Sequence, residues 1–209
     1  MKENVKKALT GDFNRKKGLL FLITALLTVL VWNLPIDCFG IEGLTVVDLL
    51  RRAGIETEMV SVMDSKTITG SHKITVTADG MFEDYTYEDA KVLVLPGGMP
   101  GTLNLGAHEG LCTLLKKHYD AGKKVAAICA APSVFGKLGF LEGRVATCYP
   151  GFEKQLHGAT VCATKVAVDG NVTTARGMGA AIDFSLKLIE QLAGKEKAVE
   201  IGEGIIYSV

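Results

Sequence analysis

The sequence predicts an α/β fold whose mostly parallel sheet is covered on both faces. Two observations carry this reading. Short apolar runs at residues 91–95 (KVLVL) and 123–128 (KKVAAI) lack a polar side at period two, as strands buried on both faces do. Helical patterns alternate with such runs, and strands alternating with helices build βαβ units. The 209 residues, 48% of them hydrophobic, suffice for one domain of this kind, or one domain with an appendage.

Taken in order, residues 1–17 are polar and end in Arg15, Lys16 and Lys17. Residues 18–32 (GLLFLITALLTVLVW) carry no charge, and three readings compete for them. A signal peptide has such a beginning, but no A-x-A-like cleavage site follows, and Leu34-Pro35-Ile36-Asp37-Cys38 is a poor lipoprotein box. A membrane anchor needs about 20 apolar residues, so the run is slightly short. A fully buried first strand explains a continuous apolar run and is preferred, although the run is long for a strand. The membrane reading, through residues 18–36, is kept as the alternative.

From Glu42 a helix is expected, with Leu44, Val47 and Leu50 on one face and Gly54 as its stop. Residues 55–62 alternate as a strand, and residues 66–77 read as a hairpin turning at Gly70-Ser71. Residues 79–89 read as an acidic, aromatic loop. The strand at 91–95 runs into Pro96-Gly97-Gly98-Met99-Pro100-Gly101. A helix over 107–119 turns Leu111, Leu114, Leu115 and His118 inward. The strand at 123–128 ends at Cys129, and a helix over 130–138 follows. Residues 145–148 and 159–162 read as short strands around a turn carrying Tyr149-Pro150-Gly151, and 166–174 as a hairpin around Asp169-Gly170-Asn171. Arg176-Gly177-Met178-Gly179 opens a last long helix with Ile182, Leu186, Ile189 and Ala193 on one face. Residues 201–209 form a short final strand or an arm.

Lys+Arg and Asp+Glu both count 23, so no basic field gathers phosphates and nucleic acid is not an expected partner. The five cysteines are scattered, without a C-x-x-C pair, and the four histidines lack metal-site spacing. This argues against a disulfide scaffold or a metal site and for a reducing, cytoplasmic compartment.

Residues 125–132 (VAAICAAP) organise the chemistry. A buried strand ends in one cysteine, and small residues start a helix. At such an elbow the helix N–H groups and dipole favour a thiolate, so Cys129 is a candidate nucleophile with a lowered pKa. A buried structural cysteine is the alternative on these eight residues alone. In open α/β sheets, sites gather at the carboxyl ends of the strands. The loop before Glu42, the Gly97-Gly98 turn and Cys129 all lie there, which strengthens the nucleophile reading.

The segments EGLTVVDLLRRAG (42–54), VLVLPGG (92–98), AAICAAP (126–132), ATCYPGFE (146–153) and ARGMG (175–179) resemble the ThiJ/PfpI family, most closely its parkinsonism-associated deglycase (DJ-one-like) branch. The resemblance spans residues 42 to about 200 and sets residues 1–41 apart as an atypical extension. It implies a flavodoxin-like three-layer sandwich of the class I glutamine-amidotransferase type, usually a homodimer. It makes Cys129 the nucleophilic, oxidisable cysteine. Glu42 becomes the buried, protonated glutamic acid beside it, a hydrogen-bond donor or general acid/base. The N–H groups of Gly98 and Ala130 form the oxyanion hole, and Gly97 lets the backbone approach. Ala130 stands where the peptidase-like branch has a histidine, so peptidase activity is disfavoured. Tyr149 stands where several members have a histidine; it is a pocket hydroxyl or an aromatic packed on Pro150. Arg176 lines the site or, preferably, holds a turn. Upstream, Asp37-Cys38-Phe39-Gly40-Ile41-Glu42 lacks the acidic pair usual before the glutamate. A membrane or targeting extension and a reading frame disturbed before residue 41 both fit.

The implied activity is glyoxalase or deglycase chemistry on methylglyoxal-type dicarbonyls or their protein adducts, with no cofactor or metal. The alternatives are a stress chaperone that senses redox state through Cys129 oxidation, and a membrane-tethered binding module. No residue supports the thiamine-biosynthesis role once attached to the family.

Overall fold

The computed structural model describes residues 27–32, 39–70 and 73–207. Its main sheet has seven strands in the order β10-β11-β7-β6-β1-β2-β5. These are β1 Leu27–Trp32, β2 Thr57–Ser61, β5 Gly80–Met81, β6 Ala90–Leu95, β7 Lys124–Ile128, β10 Val166–Asp169 and β11 Val172–Ala175. Neighbours are parallel except the β10–β11 hairpin, as the alternating pattern predicts. Strands β3 Thr67–Thr69 and β4 Thr75–Thr77 form the expected antiparallel hairpin. The helices are α1 Phe39–Arg52, α2 Gly101–Leu105, α3 Glu109–Asp120, α4 Pro132–Leu138, α5 Ala181–Ala193 and α6 Lys195–Gly204.

The continuous apolar strands feed two cores, one on each face of the sheet. Val92, Val94, Ala126 and Ile128 meet Val46 and Leu50 of α1, Phe184 and Ile189 of α5, and Ala198 and Ile201 of α6. Their neighbours Leu93, Leu95, Val125 and Ala127 point the other way, onto Leu111 and Leu115 of α3 and Phe135 of α4. His118 is buried on α3, as its place on the inward face predicts.

Strand β1 takes residues 27–32 of the uncharged run, and it lies between β6 and β2 inside the sheet. Residues 18–26 and 33–38, and with them the rest of the membrane reading, lie outside the described residues. Among the described residues no helix is long and apolar enough to cross a membrane.

Five expectations are corrected. Helix α1 begins at Phe39, so Glu42 sits in its first turn rather than after a loop. Residues 80–84 are not a plain loop: β5 extends the sheet edge beside β2, and a 3-10 turn follows at Phe82–Asp84. Strands β8 Val145–Ala146 and β9 Thr160–Val161 run parallel rather than flanking a simple turn, with a 3-10 turn at Glu153–Gln155 between them. Residues 201–204 are neither strand nor arm but the end of α6, where Ala198 and Ile201 bury themselves against the core. Ala193, placed on the apolar face of α5, is exposed at its end.

Candidate active site

Cys129 follows the last residue of β7 and takes up φ +66°, a left-handed backbone. That conformation costs a non-glycine residue on the order of 1–2 kcal/mol and persists only where the surroundings fix it. Here they do. The Cys129 N–H donates to the Ala175 carbonyl at the end of β11 (2.9 Å), and its carbonyl accepts from the Tyr149 N–H (2.8 Å). The Ala131 N–H closes the turn onto the Ile128 carbonyl (3.1 Å). The expected helix at residue 130 starts instead at Pro132, whose ring suits a first helical position. Residues 130 and 131 are a turn, and α4 has only 7 residues, so the dipole counts for less at Cys129 than the sequence reading supposes.

Glu42 is fully buried, and its Oε2 accepts the Gly97 N–H at 3.2 Å. Gly97 follows β6 and Pro96. A Cβ at Gly97 would lie 2.4 Å from Cys129 Cβ, 2.6 Å from the Ile128 carbonyl oxygen and 2.8 Å from Glu42 Oε2. Only glycine fits where these groups close in, so the three sequence-predicted residues meet at one point. Gly98, at φ +95°, is fastened by its carbonyl, which accepts the N–H and the hydroxyl of Thr102 at 2.9 Å each. The N–H groups of Gly98 and Ala130 have no acceptor among the described residues.

Tyr149 reaches the site from the other side, and the residue is 48% exposed. Arg176 serves structure, as preferred from sequence: its Nη1 donates to the Ala163 carbonyl (2.9 Å), and its N–H donates to that of Lys165 (3.0 Å). Sequence reasoning missed Gly177. A Cβ there would lie 4.0 Å from Cys129 Sγ and 3.2 Å from Tyr149 Cδ2. The glycines flanking Met178 in ARGMG were the available signal. No group of three or more His, Cys, Asp or Glu side chains among the described residues could hold a metal ion.

A buried carboxyl, a glycine turn and a strained cysteine thus lie together at adjacent strand ends. The model of the DJ-1/PfpI family matches residues 36–191. The chain belongs to the DJ-1/PfpI family. Protein DJ-1 homolog B of Arabidopsis thaliana is 40% identical over 167 residues, 79% of this chain and 38% of that protein. DJ-1 homolog A is likewise 40% identical, and the chain covers 42% of it, so it spans well under half of these two relatives. Protein dj-1beta of Drosophila melanogaster is 35% identical over 80% of this chain and 90% of its own length. A Pyrococcus abyssi relative named a deglycase is 36% identical over 62% of this chain and 78% of that protein. The solved structure of oxidized Toxoplasma gondii DJ-1 superposes with a TM-score of 0.83 at 34% identity, covering 88% of this chain and all of that one. The flavodoxin-like sandwich expected from the resemblance is thus the fold.

Proposed function

We propose that this chain is a cysteine-dependent glyoxalase or deglycase that acts, as a homodimer without cofactor, on methylglyoxal-type dicarbonyls or their protein adducts. The observation that carries this reading is the meeting of the Glu42 carboxyl, the Gly97 backbone and the Cys129 side chain at one buried point. The deglycase name of the P. abyssi relative points the same way.

The Cys129 thiolate adds to the aldehyde carbon, and the carbonyl π pair moves to oxygen, facing the Gly98 and Ala130 N–H groups. The alkoxide takes the carboxyl proton and becomes a hemithioacetal. Glu42, now ionised, removes the C1 proton and returns it at C2 while the C1 hydroxyl proton passes to the C2 oxygen, which leaves a thioester. Water cleaves the thioester and restores the thiolate; of the two protons freed, one returns to the Glu42 carboxylate and one is released, so methylglyoxal plus water yields lactate and a proton. Ala130 supplies no imidazole beside the nucleophile, which sets this chemistry apart from a Cys–His peptidase. Purified protein is expected to release lactate from methylglyoxal. Cys129→Ser should abolish turnover, and Glu42→Gln should slow it by about 10²-fold or more. Activity that survives Cys129→Ser excludes this mechanism.

One observation favours a second reading, a redox sensor or chaperone without turnover: the similar T. gondii structure is of an oxidized protein. Mild peroxide would then add oxygen stepwise at Cys129 in a protein that makes no lactate. Oxygen gained elsewhere excludes that reading.

A further inference from the structure

Gly177 does not need to be glycine for its backbone. Its φ of 160° and ψ of −170° are extended, and any residue adopts them. What its missing side chain leaves is space. A Cβ there would meet Cys129 Sγ at 4.0 Å and the Tyr149 ring at 3.2 and 3.8 Å. Gly179, two residues on, has nothing within 4 Å of its Cβ position. Of the two glycines around Met178, only Gly177 faces the sulfur.

The opposite wall is shut. At Gly97 the same construction runs into Cys129 Cβ, a backbone carbonyl and the Glu42 carboxyl, all below 3 Å. A reacting carbon must come within about 3–3.5 Å of the sulfur. On the Gly97 side that space is filled; on the Gly177 side the missing methyl would stand 4.0 Å from the sulfur with the Tyr149 ring as its nearest neighbour. Tyr149 borders this opening. Its backbone is pinned to the Cys129 carbonyl (2.8 Å), while its half-exposed ring lies along Gly177.

We propose that Gly177 and Tyr149 form a size gate over Cys129: the missing Cβ is the entrance for the reacting carbonyl, and the Tyr149 ring limits its width. The gate favours free, unbranched α-oxo aldehydes, which lead with a C–H edge, over carbonyls flanked by a ring or branch and over adducts carried on a protein surface. The substrate preference rests on the thiolate chemistry proposed above; the gate itself is tested without turnover.

The test follows alkylation of the Cys129 peptide in folded protein, by mass spectrometry, with narrow iodoacetamide and wide N-phenylmaleimide. Rates are divided by those of the same protein in denaturant. Gly177→Ala should slow iodoacetamide about tenfold and the maleimide more. Tyr149→Ala should speed the maleimide about tenfold and iodoacetamide far less. Gly179→Ala should match wild type. Unchanged rates in Gly177→Ala, an unchanged reagent ratio in Tyr149→Ala, or an equal effect of Gly179→Ala overturns the gate. Where Gly177→Ala fails to fold, the Tyr149→Ala ratio decides alone. A wild-type protein that makes no lactate but shows these ratios retains the gate and loses the proposed turnover. Lactate production with flat ratios does the reverse.

Discussion

Cys129 and Cys148 are buried to the same degree, each 4% exposed. They stand close in the fold, since the Tyr149 N–H next to Cys148 bonds the Cys129 carbonyl. Yet they belong to opposite cores, Cys129 to the one under α1 and α5, Cys148 to the one under α3 and α4. At Cys148 burial pushes the thiol up to about 11, the Glu153 charge adds to the rise, and Arg176 offsets part of it. Its packing neighbours are the apolar side chains of the core under α3 and α4. Cys129 instead has a left-handed backbone and shares the Gly97 turn with the buried Glu42 carboxyl. Burial alone therefore does not distinguish the proposed nucleophile from Cys148; backbone conformation and the Glu42 carboxyl do.

The largest effect expected from this contrast is in alkylation. With a midpoint near 11, Cys148 is about 10⁻⁴ thiolate at pH 7, so Cys129 should label at least about 10³-fold faster in folded protein. The Cys148 rate should climb about tenfold per pH unit until that midpoint. Peptide mapping across pH 6–10 measures both. Comparable rates at neutral pH break the comparison.

The same contrast explains what was legible in the sequence. The strands around the site announced themselves because buried parallel strands are apolar on both faces, and VAAICAAP marked the elbow because only small residues fit there. Glu42 was found, but its helix start was not: Gly40 fell in the expected loop before Glu42, while the buried Val46-Val47 and Leu49-Leu50 pairs hold the first turn in place. Helix α6 was missed because Gly202, Gly204 and the β-branched Ile205-Ile206 oppose a helix locally, and packing of Ala198 and Ile201 overrides that preference. Gly177 was not legible as a neighbour of Cys129, since spacing does not tell where a missing side chain would have pointed.

A third group, His118, is also 4% exposed and sharpens the role of burial. Burial lowers its pKa to about 4, the Lys123 charge helps, and the Lys91 and Lys124 backbone pulls the other way. The folded value lies below the unfolded value of about 6.5, so the unfolded chain binds the proton first. Stability is unaffected above about pH 6.5, falls as pH drops from there towards 4, and levels off below, by at most about 3 kcal/mol. Urea unfolding at two pH values should show this loss in wild type and a much smaller one in His118→Gln. An equal loss in both means that His118 is not governed by burial as Cys148 is.

The smallest effect separates the two cysteines by backbone alone. At φ +66° the Cβ of residue 129 is strained, and glycine relieves that strain. Cys129→Gly should therefore be more stable than Cys129→Ala by about 1 kcal/mol. Cys148 is not among the residues with positive φ, and there the order reverses: glycine adds only unfolded-state freedom, and Cys148→Gly should be the less stable by about 0.5–1 kcal/mol. Denaturant midpoints for the four variants give both differences, and each pair cancels the loss of the sulfur. The same sign at both positions would mean that the elbow stores no strain. Cys129 would then owe its reactivity to Glu42 and the surrounding N–H groups alone.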